Sequence, residues 1–155
     1  MTRGERAVVV STVIDRTPEE VWADVRNIES HVNWMQDAAA IRFLSEQREG
    51  TGTRFECDTK VGPFSLTDVM EITSWEDNHR MGVRHSGLVE GTGEFVLTKI
   101  EPGRTAFRWE EDLKFPWYFA GPIGAFFARP VLRWIWKGNL RRLKTRIEQQ
   151  GRSTQ

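Results

Sequence analysis

The sequence predicts an α+β fold. A curved antiparallel sheet of about seven strands wraps around one long C-terminal helix, with two short helices after the first strand. Three observations predict it. Short β-rich segments recur at roughly ten-residue intervals between residues 40 and 115, separated by Gly, Pro, Asn and Asp turns. A capped amphipathic stretch interrupts the strands only once, directly after the first. From Pro130 onward an apolar residue returns at every third or fourth position, the period of a helix buried along one face.

The elements follow in order. Ala7 to Asp15 is rich in β-branched residues and reads as a strand, its continuous apolar start suggesting burial on both faces or a protected edge. Thr17, Pro18 and Glu20 form a helix start: a hydroxyl cap, a proline suited to the first turn, and the carboxylate that completes a capping box. Val21, Trp22, Val25 and Ile28 make its apolar stripe, and Asn27 is a natural stop. A second short helix is expected from Glu29 to Asp37, carrying Val32, Trp34 and Met35.

The strands begin at Ile41 and Phe43. Glu49 to Gly52 turns the chain, and Arg54 to Val61 alternates, with Phe55, Cys57, Thr59 and Val61 on one face. After Gly62 and Pro63, Phe64 to Trp75 places Phe64, Leu66, Asp68, Met70 and Ile72 together. Arg80 to Leu88 aligns Met81, Val83 and His85, with Arg84 opposite. Gly91 and Gly93 are expected at a bend or bulge. Phe95 to Ile100 follows, and Thr105 to Phe115 aligns Phe107, Trp109, Glu111 and Leu113, with Arg108 opposite. Phe119 to Arg129 reads as a helical or looped approach. The last helix presents Leu132, Trp136, Leu140, Leu143 and Ile147, and from Pro130 to Gln150 would run roughly 30 Å. Gly151 to Gln155 reads as a frayed tail. Nothing suggests a repeat or a second domain, so the expectation is one domain over 1–155 with its core in 7–150.

Composition narrows the class. The 155 residues include 7 Trp and 9 Phe but only 1 Tyr. That many large rings imply a wide interior, a cavity wall or an interface, or simply a Trp-rich core. One cysteine, Cys57, cannot form an intrachain disulfide, no apolar leader is visible at Met1 to Arg6, and the expected compartment is cytoplasmic. Charge is neutral overall but uneven: residues 117–155 carry 8 basic residues against 1 acidic, and residues 1–116 carry 14 against 21. A basic helix on an acidic body reads first as internal complementarity, with weak contact to an anionic membrane surface as the alternative. Nucleic acid is not an expected partner, because the whole chain is neutral and no recognition motif is present.

The chain resembles the SRPBCC superfamily, the START-like or helix-grip proteins, and within it the bacterial polyketide cyclase/dehydrase-like group. The residues that carry the resemblance are Val13 to Trp22, Trp34, Gly50 to Thr53, Trp75 to Met81, Glu101 to Thr105 and Asn139 to Lys144, in that order across residues 7–148. The resemblance implies a helix-grip fold with a ligand cavity between sheet and helix. It names neither ligand nor reaction, since the fold hosts many functions.

No nucleophile, metal or phosphate-binding motif is present, and neither a cofactor nor a metal is expected. His31 and His79 fall on expected surface elements. His85, Glu111 and Asp68 are the candidates for chemistry, because each shares its strand face with apolar residues, where a titratable group is costly unless it is paired. A register slip of one residue would instead expose the two carboxylates. The expected ligand-binding wall is Trp34, Phe55, Cys57, Leu66 and Met70, continued by Met81, Val83, His85, Phe95 and Trp109, and closed by Glu111, Phe127 and Trp136. Cys57 itself reads as a small buried hydrophobe. Residues 115–129, apolar and hinged at Gly121 and Gly124, could form a lid or cavity wall, a homodimer contact or a membrane-touching edge. The leading expectation is a protein that binds a hydrophobic small molecule such as a lipid, isoprenoid or polyketide. The alternatives are a cyclase, aromatase or dehydrase working through His85 and Glu111, and a peripheral membrane or protein-interaction module using the basic helix.

Overall fold

The computed structural model describes residues 7–153. Seven strands form a single curled antiparallel sheet: β1 (Val8–Ile14), β2 (Ala38–Phe43), β3 (Arg54–Val61), β4 (Phe64–Glu76), β5 (Arg80–Gly87), β6 (Glu90–Glu101) and β7 (Arg104–Lys114). Their order is β1-β7-β6-β5-β4-β3-β2, so β2 to β7 make a meander and β1 closes back onto β7. Between β1 and β2 lie α1 (Pro18–Val25) and a 3-10 helix (Ile28–Asn33). After β7 come a short 3-10 turn (Trp117–Phe119), α2 (Pro122–Phe126) and the long α3 (Arg129–Ser153).

The expected capping box forms at α1. The Glu20 amide donates to Thr17 Oγ1 at 3.2 Å and the Thr17 amide to Glu20 Oε2 at 2.8 Å. The apolar stripe buries Val21, Trp22 and Val25, and Trp22 meets Trp75 edge-on at 5.1 Å. Each alternating strand buries the predicted face, because the curled sheet packs only its concave side against α3. Leu132, Trp136, Leu140, Leu143 and Ile147 of α3 enter that core. β1 is an edge strand. Lys144 caps its Val13 carbonyl at 2.7 Å, and Glu148 accepts the Asp15 amide just beyond it at 3.4 Å.

Four expectations about the elements need correcting. The second helix ends at Asn33, not Asp37, because α3 competes for its backbone: Asn139 Oδ1 takes the Gln36 amide at 2.9 Å and Arg142 Nε donates to the Trp34 carbonyl at 3.0 Å. The chain is thereby released into β2 at Ala38, three residues earlier than expected. Gly91 and Gly93 lie inside β6 in unbroken register with β7, not at a bend. The residues from Gly151 do not fray at once: α3 continues to Ser153, supported where Arg16 donates to the Glu148 carbonyl at 2.6 Å, while Thr154 and Gln155 lie outside the described residues.

Candidate functional site

The concave face leaves a cavity of about 120 Å³ between the sheet and α3. Phe55 and Cys57 of β3, Leu66 and Met70 of β4, and Met81 and Val83 of β5 form its floor. Phe95 and Trp109 continue the wall through β6 and β7, and Phe127 and Trp136 close it from the helical side. A second space of about 240 Å³ adjoins it near the start of α3 and shares Glu111, Leu113, Phe115, Phe127, Leu132 and Trp136. Trp34 is the exception to the expected wall. It is buried at 1% exposure behind the lining, against Phe95 and Trp109 at 6.0 and 6.1 Å. Its ring supports the lining rings and does not itself border the cavity.

His85, Glu111 and Asp68 all face this cavity. The first two meet: His85 Nε2 lies 2.8 Å from Glu111 Oε2, with both side chains under a tenth exposed. Their strands, β5 and β7, are not neighbours. β6 lies between them, and two strand spacings are about 10 Å. Contact is possible because β6 presents a glycine, Gly93, where the Glu111 side chain passes. His85 pairs with Gly91, and Glu111 with Gly93. A Cβ on Gly93 would sit 2.4 Å from the Glu111 carboxylate, and one on Gly91 would sit 2.0 Å from the Asp112 carbonyl oxygen. The second oxygen of Glu111 accepts from Trp109 Nε1 at 3.0 Å. Asp68 stands apart, accepting the Val89 amide at 3.4 Å.

Burial works to lower the His85 pKa, but the charge and hydrogen bond of Glu111, with Asp68 beyond, outweigh it and leave His85 above its ordinary value. Burial pushes Asp68 up, against the Val89 amide and His85. Cys57 is pushed up to about 11 by burial, which keeps it a thiol within the apolar floor.

Among the polar residues of the wall that the expected set lacks are His31 and Asp37. His31 was expected at the surface but is 6% exposed and borders the cavity. Its Nε2–H donates to the Val25 carbonyl at 2.7 Å, and burial lowers its pKa to about 4. Asp37 accepts from Trp136 Nε1 at 3.1 Å and Asn139 Nδ2 at 2.7 Å, and burial raises its pKa in spite of those bonds. The signal for Asp37 was the i, i+3 pair Trp136 and Asn139 on the buried face of α3, an amide among apolar residues that needs a partner. Trp109 and Trp136 stack at 4.9 Å and 22°, so each ring of the stack holds one cavity carboxylate. Arg84 and Arg108 lie on the outer face, paired with Glu71 and Glu110, as expected. No helix among the described residues is long and apolar enough to cross a membrane.

Residues 5–148 match the protein family described as polyketide cyclase/dehydrase and lipid transport. No curated protein sequence matches the chain. Solved structures share the fold at low identity. An aromatase/cyclase from Streptomyces sp. R1128 is 14% identical, covering 96% of this chain and 97% of its own, with a TM-score of 0.80. A START superfamily protein from Mycobacterium smegmatis is 13% identical over 92% of this chain and 97% of its own, with a TM-score of 0.75. A protein from Thermus thermophilus is 17% identical over 91% of this chain and 96% of its own, with a TM-score of 0.72. At such identities the likeness concerns the fold alone.

Proposed function

The chain belongs to the polyketide cyclase/dehydrase and lipid transport family, and from that premise we propose that it holds a small hydrophobic molecule in the cavity between its sheet and α3. The observation that carries this reading is the open space itself. Phe55, Leu66, Met70, Met81, Val83, Phe95, Trp109, Phe127 and Trp136 could have closed over it, yet about 120 Å³ stays open between them. An apolar cavity costs dispersion contacts along its whole lining, which a hydrophobic occupant restores. An engineered cavity of about 150 Å³ admits benzene, so this one suits an aromatic ring or a short branched chain, with the adjoining space for a larger skeleton. In this reading those residues and Cys57 touch the ligand, Trp34 braces Phe95 and Trp109, and the polar groups of the wall orient it.

Native mass spectrometry of freshly purified protein, followed by denaturing extraction, tests the reading. A hydrophobic molecule held in native spectra and released on denaturation is the expected result. Val83→Trp, which projects a large ring into the space, should remove it while keeping the fold. A protein that is empty and binds no hydrophobic probe any better than Val83→Trp would overturn the reading.

One observation favours an enzymatic reading of the same cavity. A histidine bonded to a buried carboxylate is a general base oriented for use, and His85 and Glu111 meet in the cavity wall. In a cyclase or dehydrase such a base would take a proton from carbon next to a ketone, leaving an enolate whose oxygen needs a donor. Deuterium exchange at that carbon in a model aryl ketone such as tetralone, followed by NMR, tests it. Exchange should accelerate with the protein and fall at least tenfold in His85→Gln. Equal exchange in both would remove the enzymatic reading without touching the binding one.

A further inference from the structure

Carboxylates outnumber the other ionisable groups in the wall of the cavity. Glu111, Asp68 and Asp37 bring three carboxylates to it, and among the described residues no Lys or Arg side chain borders the main space. Glu94 also borders it, but its carboxylate lies with Arg80 and Arg108, at 3.9 and 4.0 Å. The groups that could greet an anion are already engaged. Trp109 Nε1 donates to Glu111, while Trp136 Nε1 and Asn139 Nδ2 donate to Asp37. The His31 N–H is turned to the Val25 carbonyl, which leaves its other ring nitrogen an acceptor. His85, the one cavity base raised toward the charged form, is bound to Glu111 through Nε2, and only its Nδ1 is left without a partner. What remains for an occupant is the spare lone pairs of carboxylates and an imidazole, set among aromatic rings.

We infer that this cavity selects by charge and donor content, taking aromatic molecules that carry hydroxyl or amino donors and turning away acid anions such as fatty-acid carboxylates. The inference rests on the cavity being the ligand site. Spare acceptors in a low-dielectric wall are satisfied by a ligand hydroxyl or ammonium, and ring faces favour a cation further. A ligand carboxylate would meet three carboxylates against one imidazole that is already paired with Glu111, and must shed its hydration to enter. Only the adjoining space offers a cation at its rim, Arg129, so an anion could lodge there but not deeper.

The test compares three probes on one skeleton: 2-naphthol, naphthalene and 2-naphthoate. Calorimetric titration of the full chain at pH 7.5 reads their affinities. 2-Naphthol should bind at least tenfold tighter than 2-naphthoate, with naphthalene between. Asp68→Asn and, separately, Asp37→Asn should each narrow the naphthol-to-naphthoate ratio several-fold while leaving naphthalene within about twofold. Two variants are used because Asp37 also anchors α3, so a folding defect there leaves Asp68 to decide. Naphthoate binding as tightly as naphthol would overturn the selection while leaving the cavity reading intact, since probes would still bind. A ratio unchanged in both variants would overturn it too, because the carboxylates would not be its source. If none of the three binds, the cavity reading itself fails and this inference with it.

Discussion

Gly93 shows how much one missing side chain can decide. The His85–Glu111 bond crosses an intervening strand, and only a residue without a Cβ leaves room for it. Gly93→Ala should cost about 1–3 kcal/mol, since the carboxylate 2.4 Å from the new methyl must swing away. Urea midpoints measure the cost, and NMR titration should show the His85 pKa falling as its partner leaves. Glu111→Gln should lower that pKa, burial then being opposed by the charge of Asp68 alone. The two buried histidines also set opposite pH limbs. His85, raised in the fold, supports stability fully below about pH 6.5 and loses that support as pH rises through its folded pKa. His31, lowered to about 4, supports the fold above pH 6.5 and loses about 3 kcal/mol as pH falls from there toward 4. Stability measured by urea between pH 4 and 8 should peak near neutrality, with the acid limb flattened in His31→Gln. The strand faces made His85, Glu111 and Asp68 legible in the sequence, because period-2 alternation fixes which side chains share a surface. Gly93 was visible, but a gap serving a side chain on the neighbouring strand leaves no local signal distinct from a bulge. His31 was hidden for a different reason, as it lies on one tight turn with too few residues to show a period.

At the scale of elements, alternation located the strands closely, and Arg54–Val61 was read with its observed bounds. Helix length failed where another element rewrote the backbone bonding. Residues 34–37 have helix-compatible composition, but Asn139 and Arg142 of α3, more than a hundred positions away, claim the groups a helix would use. No local window contains that information. The same contact anchors α3. Asn139 is fully buried, donates to Asp37 and accepts from Gln36 and Arg142. Asn139→Ala would leave a carboxylate and an amide short of partners and should cost about 2–4 kcal/mol, read as a lower denaturation midpoint. Asp24 and Arg146 make a second anchor at 2.9 Å, with the Asp24 side chain 5% exposed. Arg146→Met should cost about 3 kcal/mol, mostly from the carboxylate left buried without its cation.

Across the whole molecule the basic helix and acidic body are joined through the helix's inner flank. Arg142, Lys144 and Arg146 reach the Trp34 carbonyl, Glu148 and Asp24, whereas Arg133, Lys137 and Arg141 on the outer flank make no ion pair with any described residue. Of these only Arg146 forms an ion pair with the acidic body, since Glu148 belongs to α3 itself and Arg142 meets a carbonyl, so charge pairing between helix and body accounts for a small part of the asymmetry. Residues 115–129 complete the enclosure. Phe119 and Phe127 pack with Val61 as a small apolar cluster of their own, and Phe115 joins both this cluster and the main core. Phe126 lies over Gly62 at the β3–β4 turn, where a Cβ would come within 2.6 Å of its ring. This segment has few backbone hydrogen bonds and a three-residue buried cluster, while β5 to β7 are bonded on both sides. It should therefore open well before the sheet does. Hydrogen exchange should be fastest here among the walls of the cavity, and a bound hydrophobic ligand should slow it, since Phe115 and Phe127 line the space. Phe127→Ala should destabilise the protein by about 3 kcal/mol or less, raise exchange across 116–128 and speed ligand release more than it slows entry. Equal protection of this segment and of β6, with or without ligand, would mean that the route into the cavity lies elsewhere.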